Sequence, residues 1–182
     1  MQKAALITDI FLDPGAYFVG EGLFRIRTLL GSCVSITLWH PARRIGAMSH
    51  FLLARRGGAP AARHAEGGPD ARYGEDALGL MIDEIAAAGV APTECQAKIF
   101  GGGNMFPDFG RRAHALVGTQ NGVAAKEWLR EHRIAVVSEN LYGTGHRQVI
   151  FEVETGDVWV RQASLGDMTV ARHHSKEMHG KH

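Results

Sequence analysis

The sequence predicts an α/β domain with a sandwich-like β core and flanking helices. Three observations carry that expectation. Apolar and polar residues alternate in short runs at 34–38, 148–153 and 157–162, which is strand periodicity. Two stretches only, 73–88 and 121–132, set apolar residues at helical spacing. The 23 glycines cluster at 57–58, 67–68, 101–103 and 143–145, so they punctuate many short elements instead of forming one low-complexity block. Strand and helix signals do not alternate throughout, which argues against a doubly wound parallel sheet.

Taken in order, residues 23–39 read as strand, broken at Gly31. Beyond Cys33, Val34, Ile36 and Leu38 face one way, and Ser35 and Thr37 the other. HPARR at 40–44 reads as a turn, and 45–53 as a second apolar strand. Residues 55–72, RRGGAPAARHAEGGPDAR, are small, polar and rich in Gly, and read as a long surface loop. The helix at 73–88 carries Ala77, Leu80, Met81, Ile85 and Ala88 on one face, with Gly89 just past its end as a C-cap. A strand at 96–100 runs into GGGNMF. The second helix, 121–132, has Asn121 as its N-cap. A strand follows at 134–138, then a hairpin of 148–153 and 157–162 around Thr155-Gly156. From 166 onward the chain has no apolar periodicity and carries His173, His174, His179 and His182, which predicts a frayed tail. The expected organisation is one domain over 1–165 and a His-rich tail over 166–182.

A chain of 182 residues suffices for one well-buried domain and is short for two. The net charge of +1 offers no electrostatic case for nucleic acid or an anionic membrane. No segment approaches the roughly 20 apolar residues of a membrane span. The first fifteen residues lack the basic flank and apolar core of a signal peptide. Two cysteines without a CxxC pair argue against a disulfide framework or structural zinc, and the tail histidines have no Cys or acid cluster beside them. No metal and no cofactor are expected, and the expected compartment is the reducing cytoplasm.

Chemistry concentrates in TLLGSCVSITLWHPARRIGAMSHFLLA, residues 28–54. If 33–38 and 45–50 form an antiparallel hairpin with Leu38 opposite Ile45, then Cys33 lies opposite His50, with Cβ atoms about 4.5–5.5 Å apart. An imidazole there can take the thiol proton and lower its pKa by forming an ion pair. Backbone N–H groups around Gly31 and Ser32 can converge on an oxyanion. The same residues also fit a buried strand cysteine and a hydrogen-bonded core histidine, and spacing alone leaves both readings open. Cys95 reads as structural. Gly101-Gly102-Gly103-Asn104 follows a strand but has neither the third Gly of a dinucleotide fingerprint nor a GK[ST] phosphate loop. Locally it reads as a backbone crossing that needs positive φ.

LGSCV at 30–34, SHFLL at 49–53, RYGEDAL at 72–78, AKIFGGGNMF at 97–106 and TGDVWVR at 155–161 together resemble the bacterial chemoreceptor glutamine deamidases, the CheD family. The match runs in family order over roughly residues 15 to 162. The resemblance implies that Cys33 is the nucleophile, that His50 is the catalytic histidine, and that Thr28 positions it. It implies an α/β sandwich related to the catalytic domain of deamidating bacterial toxins. It implies hydrolysis of glutamine side-chain amides in chemoreceptor cytoplasmic domains, and, in some bacteria, a CheC-like phosphatase as partner. It also brings Gly102 and Asn104 to the edge of the cleft. Where the family often has Pro after the Leu-Leu pair, this chain has Ala54, and the 55–72 loop and the tail fall outside the match. The rivals are a Cys protease or amidase on another substrate, and a non-catalytic binding module for receptors or the phosphatase.

Overall fold

A computed structural model describes residues 6–57, 67–105, 112–164 and 167–174. Two strands that read as one in the sequence organise it. β3 (Phe24–Leu30) and β4 (Val34–His40) are separated by three residues, yet they lie in different sheets. The break at Gly31 is therefore a crossing from one layer to the next.

The first sheet also holds β1 (Thr8–Phe11), β8 (His146–Glu152), β9 (Val158–Ser164) and β10 (Asp167–His173), in the order β1-β3-β8-β9-β10. The second adds β2 (Tyr17–Glu21), β5 (Ile45–Ser49), β6 (Gln96–Gly101) and β7 (Ala135–Leu141), in the order β2-β5-β4-β6-β7. Helices α1 (Gly74–Ala87) and α2 (Arg112–Glu131) cover the outer face of the second sheet. The period of two sorts the side chains of β4 between the two interfaces. Val34, Ile36 and Leu38 face the helices, where they meet Leu78, Met81, Ile85 and Trp128. Trp39 joins Met48 and Phe100 against Ile26, Leu30, Val149 and Phe151 of the first sheet. Each such large apolar side chain contributes roughly 1.5–3 kcal/mol by leaving water. Trp39 Nε1 also donates to the Val153 carbonyl at 2.7 Å, tying sheet to sheet.

The β4–β5 hairpin forms with a register two residues away from the expected one. Leu38 pairs with Ala47 and His40 with Ile45, so the turn is the four residues 41–44, with Arg44 in the left-handed region at φ 48°. A shift of two keeps every side chain on its face, whereas a shift of one would have inverted them. Val34 pairs with Phe51, and continuing that register sets Cys33 level with Leu52. Cys33 is therefore diagonal to His50 along the shared face and not directly opposite it.

α1 and its cap match expectation: Ala88 closes the helix and Gly89 follows at φ 79°. α2 does not. It begins at Arg112, nine residues before Asn121, which sits in mid-helix and is no N-cap. The glycines at 118 and 122 lower intrinsic helicity and hid the earlier turns. Tertiary contact with the second sheet overrides them.

Residues 167–173, expected in a frayed tail, instead extend the first sheet as β10, antiparallel to β9 from Asp167↔Ser164 to His173↔Val158. What secures its end leaves no local pattern in the sequence. Lys98, buried on β6, donates Nζ to the carbonyls of Gly156 at 2.7 Å and His173 at 2.8 Å. Asp157 pairs with Arg172 and, at 3.1 Å, with His174. His179 and His182, and residues 58–66 of the expected surface loop, lie outside the described residues.

Candidate active site

The crossing Gly31–Cys33 is held from below by the loop after β6. Gly102 N–H donates to the Cys33 carbonyl at 2.8 Å, and Gly103 N–H donates to that of Gly31 at 2.9 Å. So close an approach needs residues without Cβ. Gly101 has φ 114°, and a Cβ there would come within 2.2 Å of the Cys33 oxygen. Gly102 has φ 66°, so the local expectation of positive φ is met at that residue. One residue further, Asn104 forms a parallel bridge with Thr144: its N–H donates to Gly143 O at 2.8 Å, and Gly145 N–H returns to Asn104 O at 3.1 Å. The structure thus brings Gly102 against the Cys33 turn and engages the Asn104 backbone with the 143–145 turn. Beneath that turn the buried Arg147 donates Nη1 to the Asn140 carbonyl at 2.5 Å and Oδ1 at 2.7 Å, and Nη2 to the Tyr142 carbonyl.

His50 follows β5 on the face that looks toward β3, where Thr28 lies. Thr28 Oγ1 donates to the Leu12 carbonyl at 2.7 Å and stands 2.7 Å from His50 Nδ1. A hydroxyl has one hydrogen. Since Leu12 receives it, the Thr28 oxygen must accept from Nδ1–H. That assigns the neutral tautomer and leaves Nε2 with a lone pair. Nε2 is buried and, among the described residues, has no hydrogen-bond partner. The geometry therefore holds an imidazole lone pair in one orientation.

Electrostatics correct one expectation. Burial pushes the Cys33 thiol above its ordinary value, only partly opposed by its own backbone N–H. Burial likewise lowers His50, against the Leu12 carbonyl and the charge of Asp13, which both favour the imidazolium. Desolvation disfavours both charged forms. Both shifts favour a neutral thiol beside a neutral imidazole over the ion pair that spacing suggested. A proton can still pass to Nε2 as sulfur bonds to an electrophile, because the product charges then have new partners. Cys33 packs at the rim of the inter-sheet core and is half-buried, so a reactant can reach it.

The crossing supplies a second component. Among the described residues, neither the Ser32 nor the Cys33 amide donates to a backbone carbonyl. The Cys33 N–H does interact with its own sulfur, so an oxyanion beside that sulfur would have to take this donor over. No three His, Cys, Asp or Glu side chains among the described residues converge as a metal-ligand set. No helix among them is long and apolar enough to cross a membrane.

Asn121 is the site neighbour that sequence reasoning missed. It is 1% exposed, and its Nδ2 donates to Leu52 O at 2.8 Å and to Ser32 O at 3.4 Å. A signal was present: Gly118, Asn121, Gly122, Ala125, Trp128 and Leu129 recur at i, i+3, i+4 spacing, one continuous helix face. The role of the Leu12 carbonyl had no sequence signal, since any residue has one.

Comparison with known proteins adds an independent line. Residues 57–162 match the family described as CheD, chemotactic sensory transduction. A protein of Albidiferax ferrireducens named "Probable chemoreceptor glutamine deamidase CheD 2" is 56% identical over 162 residues, covering 89% of this chain and 91% of its own. A CheD of Pseudomonas savastanoi pv. phaseolicola with the same description is 42% identical, covering 91% of this chain and 90% of its own. A more distant one, from Leptospira interrogans, is 35% identical over 86% of this chain and 93% of its own.

Proposed function

Because the chain belongs to the CheD family, we propose that it deamidates glutamine side chains of chemoreceptors through a Cys33 thioester, with His50 as the base. The observation that carries this reading is the Leu12–Thr28–His50 chain of hydrogen bonds, which leaves Nε2 as the free lone pair.

The steps follow from that tautomer. His50 Nε2 takes the thiol proton as the Cys33 sulfur bonds to the carboxamide carbon. The carbonyl oxygen becomes an oxyanion, stabilised by the Ser32 and Cys33 amides. Collapse breaks the C–N bond, and the imidazolium returns the proton to the leaving nitrogen, so ammonia departs and a thioester remains. Water then attacks, giving its proton to Nε2. The second collapse expels sulfur, which recovers the proton, and releases glutamate. The sum is amide plus water giving acid plus ammonia. Thr28 touches no substrate. It holds Nδ1–H so that the same nitrogen, Nε2, serves in both halves.

Finer expectations accompany this reading: a CheC-like phosphatase as a second partner, a cytoplasmic location, and kinship of the fold with the catalytic domain of deamidating bacterial toxins.

The test is incubation with chemoreceptor cytoplasmic fragments, followed by peptide mass spectrometry. Conversion of glutamine to glutamate in an uncut receptor chain is expected. A cleaved chain would make the protein a protease, and unaltered glutamines would end the reading.

A further inference from the structure

We propose that Asn121 is a positioning residue for the amide hydrolysis: its carboxamide fixes and polarises the Ser32–Cys33 peptide, whose N–H faces the oxyanion. The inference rests on Cys33 being the nucleophile.

An Asn in mid-helix, 1% exposed, is harder to bury than the Ala or Leu a core would otherwise hold, unless its amide is matched. It is matched in a particular way. Both acceptors are carbonyls, so the donor must be Nδ2 and not Oδ1. One, Ser32 O, belongs to the residue before the nucleophile; the other, Leu52 O, lies two residues after the base. The two hydrogens of one NH2 group therefore join the segment carrying Cys33 to the segment carrying His50. No other side chain among the described residues has a hydrogen bond to each.

The second step concerns the peptide itself. The Ser32 carbonyl and the Cys33 N–H are two ends of one conjugated amide. A donor at the oxygen draws electron density toward it and makes the N–H a stronger donor. That effect grows as negative charge develops on the substrate oxygen, so it stabilises the transition state more than the bound amide. A group acting this way lowers kcat when removed and leaves KM nearly alone.

The helix is built to bring Asn121 there. Gly118 and Gly102 back onto each other: a Cβ on Gly118 would stand 2.6 Å from the Gly102 carbonyl, and one on Gly102 would stand 2.7 Å from that of Gly118. A Cβ on Gly122 would stand 2.8 Å from the Tyr142 ring. α2 thus approaches the loop that grips the nucleophile as closely as a backbone can, one turn before and one residue after Asn121. Larger residues would move the carboxamide out of reach of Ser32.

The experiment compares Asn121→Leu, Asn121→Ser and a stability control, Ala125→Gly, which loosens the same helix away from the site. Melting temperature, kcat and KM on a receptor fragment, and the rate of Cys33 alkylation by iodoacetamide are measured well below each melting temperature. Alkylation forms no oxyanion. The expected result is a kcat about 10- to 100-fold lower in both Asn121 variants, short of the roughly 10²–10³-fold seen when a direct oxyanion donor is lost. KM and alkylation are expected to stay within about threefold, while Ala125→Gly keeps its kcat despite a comparable loss of melting temperature. Unchanged kcat in either variant, or a fall shared in proportion by alkylation and by Ala125→Gly, overturns the proposal. Should both variants fail to fold, the wild-type protein decides by NMR. The Asn121 side-chain amide must be protected from exchange and must shift when Cys33 is alkylated; an unprotected or unmoved resonance overturns it. Turnover surviving in Cys33→Ala would instead remove the reading beneath it.

Discussion

Cys33 and Cys95 start from similar places and end with different chemistry. Each immediately precedes a strand, β4 and β6, and those strands are antiparallel neighbours, so the thiols lie at opposite ends of one sheet. Burial pushes both thiols up, Cys95 to about 11 with the help of the Glu94 charge. A raised thiol pKa therefore does not separate a nucleophile from a core residue here. The surroundings do. Cys95 is 2% exposed among side chains of the helix-covered core, beside a carboxylate that opposes ionisation. Cys33 is half-buried in a crossing whose carbonyls are held by Gly102, Gly103 and Asn121, and it shares its sheet face with an imidazole whose tautomer is fixed. In the proposed mechanism, reactivity comes from a base poised to take a proton, not from a thiolate stored in advance.

The widest gap between the two should appear on truncation. Cys33→Ala is expected to abolish ammonia release, at a stability cost of about 1–2 kcal/mol. Cys95→Ala should lose comparable stability and keep full turnover per folded molecule. Loss of activity in both, or in neither, would erase the distinction. Next comes the base: His50→Ala should lower kcat by about 10²–10⁴. Residual activity within a few-fold of the parent would transfer the role elsewhere, with His146, near the Leu30 end of β3, the first to test. Thr28→Val removes the acceptor that holds Nδ1–H, and a smaller loss of about 10- to 100-fold is expected as the ring samples its other tautomer. Thr28→Ser keeps the hydroxyl and should restore most of it. A fully active Thr28→Val would remove the orienting role.

How much of this could be read beforehand depends on range. Val34, Ile36 and Leu38 disclosed their common face because strand alternation is local, and small-residue spacing and resemblance marked Cys33 and His50 as candidates, which lie on one sheet face. The hairpin register was missed by two because a turn of HPARR composition admits several lengths. The missed half of α2 and the role of Asn121 share a cause: glycines needed for close contact with residues 102 and 142 look, within the helix alone, like breakers. β10 was missed because what holds it is non-local, a lysine 75 residues away donating to the His173 carbonyl.

The pH dependence separates the two groups of residues as well. His50 serves only while neutral, and burial lowers its pKa below the ordinary 6.5. The acid limb of kcat/KM should therefore have its midpoint below 6.5, and a midpoint above it would contradict the desolvated site. Lys98 gives the smallest effect, one confined to stability. Its pKa falls from 10.5 to about 8 on folding, mainly through burial. Between those values the unfolded chain holds a proton that the folded one has released, so this residue's contribution to stability rises with pH across that window. Buried thiols act in the opposite sense there, so the quantity to follow is the difference in melting temperature between the parent and Lys98→Met. It should move in the parent's favour from pH 7.5 to 10 (roughly the window of the shift). A constant difference would mean that Lys98 does not titrate in the fold.

The proposed mechanism requires a covalent glutamyl thioester on one cysteine. Acid quenching of the enzyme during turnover of a receptor fragment, followed by intact-mass and peptide analysis, tests it directly. The predicted species has the mass of enzyme plus receptor fragment less one ammonia, is released by hydroxylamine, and maps to the peptide containing Cys33. Turnover accompanied by an adduct on Cys95, or by undiminished activity in Cys33→Ala, would contradict the account.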